Sequence, residues 1–342
     1  MAVDNLLLIG DVSLPEALGS KLVRGLNSCS RSKRWSIKTT YTSPAKYYSP
    51  SMSCLAGKIF YQLADKRSWE WWQYQNHLVQ TIKKLRPRAV IVTGILPLKQ
   101  EVYESIHSYG GMILNYLTDD PWNQIHYRKS FIKNLRYYDH IFSTKDALQF
   151  RLRAEGCVST SWLPFAYDPS LHKPVGASKG TEVIFVGTGA KERLQWLKAL
   201  DDLTGITKQV YGNGWNKLST PGWEQMPAVT GNDYCYVIEK AQIVLGLVRS
   251  ANGDLSTDRS YEIGAIGGCG LYKDTIEHRK LLEGYPDSGF FNSPDDLRYA
   301  VINLLKNPDL QRTLRELGKH SISRQENTYA ARAETILNWI EK

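Results

Sequence analysis

Several features that would assign a class quickly are missing from this sequence. The five cysteines, Cys29, Cys54, Cys157, Cys235 and Cys269, stand far apart, with no CxxC pair and no histidine at ligand spacing. That excludes a disulfide framework or a zinc module as the organising principle and reads as reduced, cytoplasmic thiols. No apolar run approaches the roughly 20 residues that a membrane-spanning helix needs. The opening MAVDNLLLIGD has Asp4 where a signal peptide wants a base, and its apolar run stops after about five residues. Long basic blocks are absent too, the densest being RSKR at 31–34 and KKLRPR at 83–88. The net charge of +9 is therefore dispersed. Nucleic acid is not the main partner expected; an anionic small ligand such as a nucleoside diphosphate, or an acidic membrane surface touched peripherally, suits such a charge equally well.

What is present is an ordinary globular composition, 42% hydrophobic and 23% charged over 342 residues, long enough for two domains. Short apolar runs end in polar or glycine turns and are followed by helix-like stretches. LLLIG (6–10) leads into DVSLPEALGSKLVRGL, with Pro15 suited to a first helical turn; a helical pattern from Trp69 to Leu85 precedes AVIVTG (89–94); MILNYLTDD (112–120), HIFST (140–144) and WLPFA (162–166) continue the series. Continuous apolar runs separated by helices predict a parallel sheet covered on both faces.

Between 168 and 180 the chain reads DPSLHKPVGASKG, a linker composition. The alternation then restarts with EVIFVG (182–187), a helix from Lys191 to Asp202, KQVYGNG (208–214), IVLGLV (243–248), a helix from Ser260 to Ile266, CGLYK (269–273), SGFF (288–291) and a helix from Pro294 to Leu305. Two α/β units result, with ligands expected at the carboxyl ends of their strands. FVGTGAKERL approaches the dinucleotide fingerprint but has Glu192 in place of the third glycine. A nucleotide-dependent dehydrogenase is thus the weaker reading.

One stretch stands out chemically. DRSYEIGAIGG (258–268) sets an arginine, an aromatic and a glutamate before a run of small residues, and a plain core helix needs neither charge. Together with SPDDLRYAVINLLKNPDLQRTLRELG (293–318) and the closing NTYAARAETILNWI (327–340), it resembles the sugar-nucleotide-binding domain of group 1 glycosyltransferases, in particular the CgeB-like, spore-maturation branch, which reads R-[TS]-[FY]-E-I-x-A-x-G-G here. LTDDPWN (117–123) and WLPFAYDPSLH (162–172) look like the acceptor side and the junction of the same branch.

The resemblance implies an α/β GT-B fold: a Rossmann-like acceptor-side domain over 1–172, a sugar-nucleotide-binding Rossmann-like domain over 173–326, and a helix over 327–342 returning to the first domain. Tyr329, Ala333, Ile336, Leu337 and Ile340 fall on one face of that helix. The activity implied is transfer of a hexose-type sugar from a nucleoside-diphosphate sugar to a hydroxyl of a glycan, lipid or protein, with no cofactor and no metal. A non-catalytic sugar-nucleotide-binding or scaffold protein is the alternative.

Residue by residue, the resemblance implies an acidic pair eight positions apart, Asp254 contacting the sugar and Glu262 the ribose, where a carboxylate can accept from two vicinal hydroxyls. Arg259, at a helix start, suits a diphosphate and its charge as the glycosidic bond breaks. The alternative for Arg259 and Glu262 is a surface ion pair three residues apart. Gly187, Thr188, Gly189, Arg193, Gly212, Asn252, Ser260 and Tyr261 complete the expected donor set, with Arg249 and Lys191 near it; Trp215 borders the base or belongs to the core. On the acceptor side, adjacent Asp119 and Asp120 repel, so one is expected to hold a proton well enough to act as a base, while the other reading caps a helix begun by Pro121. His126 is a further candidate base. The aromatic stretches WEWWQYQ (69–75) and TYTSPAKYYSPS (40–51) suit either stacking on sugars or packing on a sheet.

Overall fold

Strands form where aliphatic residues run without polar interruption. Leu6, Leu8 and Ile9 are fully buried, as are Val90 and Val92, and a strand that is apolar on both faces must be covered on both. The computed structural model describes residues 3–41 and 50–342. Of the aromatic stretch at 40–51, residues 42–49 lie outside the described residues.

The described chain separates into two units, Met1–Pro164 with Tyr329–Lys342, and Phe165–Thr328. Residues 165–172, assigned above to the first domain, belong to the second unit. The first unit carries β1 (Asp4–Gly10), β2 (Trp35–Tyr41), β3 (Ala89–Thr93), β4 (Met112–Leu117), β5 (His140–Ser143) and β6 (Thr160–Trp162), in the order β2-β1-β3-β4-β5-β6. All neighbours in it are parallel. Its helices are α1 (Leu18–Ser28), α2 (Leu55–Leu63), α3 (Trp69–Leu85), α4 (Gln100–His107), α5 (Lys129–Lys133) and α6 (Gln149–Ala154). The second unit carries β7 (Glu182–Val186), β8 (Thr207–Tyr211), β9 (Glu224–Met226), β10 (Ile243–Gly246), β11 (Gly270–Lys273) and β12 (Phe290–Phe291), in the order β12-β11-β10-β7-β8-β9, again all parallel. Its helices are α7 (Leu194–Lys198), α8 (Gly231–Lys240), α9 (Asp258–Ile266), α10 (Ile276–Leu281), α11 (Pro294–Lys306) and α12 (Pro308–Ile322).

In each sheet the chain reverses its direction of growth once, between β1 and β3 in the first unit and between β7 and β10 in the second. Helices diverge to opposite faces at such a point and leave a crevice at the strand ends.

The last helix, α13 (Tyr329–Ile340), packs on α1 within the first unit. Gly25 of α1 lies against the backbone carbonyl of Tyr329, a contact that any side chain at 25 would obstruct. Tyr329, Ala333, Ile336, Leu337 and Ile340 are all buried. Glu334 accepts from Ser30 and Arg31, and Trp339 lies 4.6 Å from the ring of His140.

Some local expectations give way to the structure. Pro15 precedes α1 rather than opening it, because the chain makes a turn before Ala17, the residue flanking the helix. β6 ends at Trp162, so most of WLPFA lies beyond it. The helix expected over 191–202 is one tight turn at Lys191–Arg193 followed by the short α7. Strand β2, with its alternating polar residues, had no continuous apolar signal; it pairs with β1 alone, at the sheet edge.

Candidate functional site

At the β7/β10 switch point three arginines come together from three segments. Arg193 follows β7, Arg249 follows β10, and Arg259 lies in the first turn of α9 with its Nε donating to the carbonyl of Val186 at 3.3 Å. Burial, then repulsion from Arg249, with a further contribution from Arg259, pushes the Arg193 guanidinium down to about 10. One N–H of Arg193 reaches the carbonyl of Thr188, while its buried Nε has no hydrogen-bond partner among the described residues. A desolvated cation with a spare donor favours an anion.

Buried carboxylates hold the other two arginines. Asp254 accepts from Arg249 Nε at 3.0 Å and from Asn252 Nδ2 at 2.8 Å. Glu262, only 2% exposed, accepts from Arg259 Nη1 and, at 2.9 Å, from the hydroxyl of Tyr234. Its other oxygen faces His172 Nε2 at 3.3 Å. The backbone N–H of Asp168 donates to His172 Nδ1 at 3.0 Å, so a neutral imidazole carries its proton on Nε2 and donates it to Glu262. Arg259 also lies over the Tyr234 ring, 4.7 Å from its centre. Burial alone would lower the Arg259 guanidinium, but Glu262, with Tyr234 and Asp258, holds it above the usual arginine value.

This geometry revises several expectations. Glu262 and Asp254, expected to face a ribose or sugar, are turned to protein partners and fix the two arginines. Arg259 and Glu262 do pair, with one member buried. Ser260, expected to offer a hydrogen bond to phosphate, is buried and engaged twice: its Oγ accepts from Thr257 N at 2.9 Å in a capping box and lies 2.7 Å from His278 Nε2. Tyr261 and Trp215 belong to the core. Asn252 is buried against Asp254.

The glycines have an internal reason. Gly189 N donates to Asn213 O at 2.8 Å and Gly187 N to Tyr211 O at 2.8 Å, so the turns after β7 and β8 dock backbone to backbone. A Cβ at Gly189 would sit 2.7 Å from Trp215 N, and one at Gly212, whose φ is +139°, would strike the carbonyl of Gly187. Thr188, in the same turn, is exposed. Glu192, standing where the dinucleotide fingerprint has a glycine, accepts from Ala251 N at 3.0 Å and ties this turn to the one after β10. No helix opens directly on these glycines, as that fingerprint requires, since α7 begins only at Leu194.

The first unit has its own crevice at the β1/β3 switch point. A cavity of about 300 Å³ is lined by Asp11 beyond β1, Gly94 beyond β3 and Asp119 beyond β4, with Arg67, His126 and Arg128 closing it. His126 Nε2 faces Asp119 Oδ1 at 3.5 Å. Asp120 points elsewhere: its Oδ1 accepts from Trp122 N at 2.9 Å, stabilising a turn. Residues 121–126 form turns rather than the helix expected after Pro121. The adjacent aspartates thus divide, one lining the cavity and one capping. Trp71 is buried core and Trp69 half exposed, so WEWWQYQ chiefly packs α3 onto the sheet.

A family described as "Glycosyl transferase-like" matches residues 192–338, which span the arginines, Asp254 and Glu262. No curated protein matches the sequence. Among solved structures, sucrose-phosphate synthase from Thermosynechococcus elongatus is similar at 11% identity and TM-score 0.67, over 99% of this chain and 98% of that one. The α,α-trehalose 6-phosphate synthase of Burkholderia multivorans is similar at 12% identity and TM-score 0.61, over 100% and 97%. S. aureus MnaA, solved with UDP, is similar at 14% identity and TM-score 0.56, over 99% and 96%. The fold expected from the sequence, GT-B with two parallel-sheet units, is the fold of this chain.

Proposed function

We propose that this chain is a glycosyltransferase of the CgeB-like branch, moving a hexosyl group from a nucleoside-diphosphate sugar to a hydroxyl of a glycan, lipid or protein. The observation that carries this reading is the arginine cluster at the β7/β10 switch point, where Arg193 is desolvated, lacks a partner for its Nε and is repelled by Arg249 and Arg259. Glu192 and Asp254 offset part of that repulsion, and a diphosphate offers oxygens to the donor left unused. The guanidinium of Arg259, held by Glu262 and Tyr234, then stabilises the charge that grows on the departing diphosphate. On this reading Glu262 and Asp254 act on the donor by positioning arginines, Thr188 and the glycines shape the turn beside the phosphates, and no metal is required.

The acceptor hydroxyl enters the first unit's cavity, where Asp119 accepts its proton and His126, facing Asp119, supports the carboxylate. Bringing donor and acceptor together with water excluded makes the step effectively unimolecular.

The test is a panel of nucleoside-diphosphate sugars, read first by thermal shift and then by nucleoside diphosphate release with and without EDTA. A stabilising sugar nucleotide whose turnover survives EDTA and falls in Asp119→Asn is the expected outcome. Binding without release, and with no effect of Asp119→Asn, would establish a sugar-nucleotide-binding protein instead. If no sugar nucleotide binds, the proposal fails.

A further inference from the structure

The first unit's cavity is lined by two arginines, Arg67 and Arg128, on which Asp65 acts at a distance without pairing directly with either among the described residues. Arg67 donates to the backbone carbonyls of Ile95 at 3.1 Å and Lys66 at 3.3 Å. Arg128 donates to the carbonyls of Ile125 at 3.1 Å and Tyr127 at 2.6 Å. Neither forms an ion pair among the described residues, and the Nε of each is buried without a hydrogen-bond partner there.

The nearby carboxylates are engaged elsewhere. Asp65 accepts from Lys129 N at 2.8 Å and Ser130 N at 2.7 Å, so it holds the start of α5. Asp11 accepts from Ser13 N at 3.1 Å and Ser13 Oγ at 2.6 Å, and Asp119 faces His126. Burial first, and then Arg128, lowers the Arg67 guanidinium to about 10. Two guanidiniums in mutual repulsion, at the mouth of a cavity and bonded only to neutral carbonyls, retain donors of the kind that fork onto an oxyanion. The volume of about 300 Å³ is at the small end for ligand sites and suits a single sugar-sized group.

We propose that the acceptor carries an anionic group, a phosphate ester or a carboxylate, bound by Arg67 and Arg128 while its reacting hydroxyl meets Asp119. The assignment of this ligand as acceptor rests on the transferase reading above. The anion site itself rests on the arginines and the cavity.

The experiment measures binding to the full chain by calorimetry and thermal shift, using inorganic phosphate, a hexose 6-phosphate, a hexuronate and the neutral hexose. One of the two charged sugars is expected to bind and the neutral hexose to bind at least tenfold more weakly, on the scale of charge-assisted hydrogen bonds; which one binds identifies the anion. Arg67→Gln and Arg128→Gln should each weaken that ligand about tenfold or more, and Arg259→Gln should leave it unchanged. Arg67→Lys keeps the charge without the fork and serves where Arg67→Gln does not fold.

Equal binding of charged and neutral sugars, or a response that survives both Arg67 and Arg128 substitutions, overturns the proposal. A response lost in Arg259→Gln but kept in Arg67→Gln also overturns it, because the anion then sits on the second unit's arginines. Sugar-nucleotide binding, measured separately, distinguishes the two failures. Sugar nucleotides that bind while the anions do not leave the transferase reading standing without this site. Anions that need Arg67 when no sugar nucleotide binds leave the site standing and remove its role as an acceptor site.

Discussion

His172 Nε2 stands 3.3 Å from Glu262 Oε1, with both side chains buried. The contact secures the carboxylate oxygen that Arg259 and Tyr234 do not use. Glu262 therefore acts as the fixed centre on which a cation, a phenol and an imidazole are arranged.

Removing that centre should be costly. Glu262→Ala strips the partner from Arg259, whose side chain is 37% exposed and so partly solvated, and leaves the hydroxyl of Tyr234 buried and unsatisfied, a loss of about 1 to 3 kcal/mol. Tyr234→Phe deletes one hydrogen bond to a charged group and should cost about 1.5 to 3 kcal/mol. Urea unfolding gives both values. A Glu262→Ala loss below about 1 kcal/mol would contradict the buried network.

Arg193→Gln should separate binding from folding. The guanidinium is held down to about 10 by burial and by Arg249, so its removal should leave stability within about 1 kcal/mol of the parent or raise it. Affinity for a nucleoside diphosphate should fall roughly tenfold or more. Calorimetry beside thermal unfolding decides the matter, and unchanged affinity would remove Arg193 from the donor site.

Gly212→Ala places a Cβ against the carbonyl of Gly187 at a φ of +139°, so strain and collision add. Gly284→Ala, at φ +83° with open space around it, carries the backbone strain alone. The Gly284 variant should lose about 1 kcal/mol and the Gly212 variant about 3. The Gly212 variant should also bind nucleotide less well, because the displaced turn includes the Thr188 carbonyl that holds Arg193. Equal losses in the two variants would show that the docking of the β7 and β8 turns contributes nothing.

Acid should destabilise both units. Burial lowers His278 in the second unit to about 4, and His140 in the first to about 4. Unfolded histidine titrates near 6.5, so below that value the unfolded chain binds protons that the folded chain refuses. The stability from keeping both rings neutral is complete above about pH 6.5 and is lost as pH falls towards 4, at up to about 1.4 kcal/mol per pH unit for each ring. Melting temperature followed from pH 7 to 4 checks this, and His278→Gln should flatten the second unit's share of the slope.

Much of the architecture followed from local pattern. Runs such as LLLIG, AVIVT and EVIFV declare buried parallel strands because each must be apolar on both faces. α13 declared its buried face through Tyr329, Ala333, Ile336, Leu337 and Ile340, and the stretch around Arg259 and Glu262 announced two charges that a plain core helix does not need.

The roles within that stretch came from contacts that no spacing encodes. Glu262 meets Tyr234 across 28 positions, and His172 reaches it from the far side of β7 to β10 in sequence. Arg67 and Arg128 share a cavity only because the turn before α3 and the turns after β4 return to the same end of one sheet. Asp119 and Asp120, adjacent and identical, were assigned different work by which one the turn at Trp122 captured. Strand and helix periodicity is a property of neighbours along the chain, whereas the pairing of buried charges depends on strand order, and strand order is decided when the whole sheet assembles.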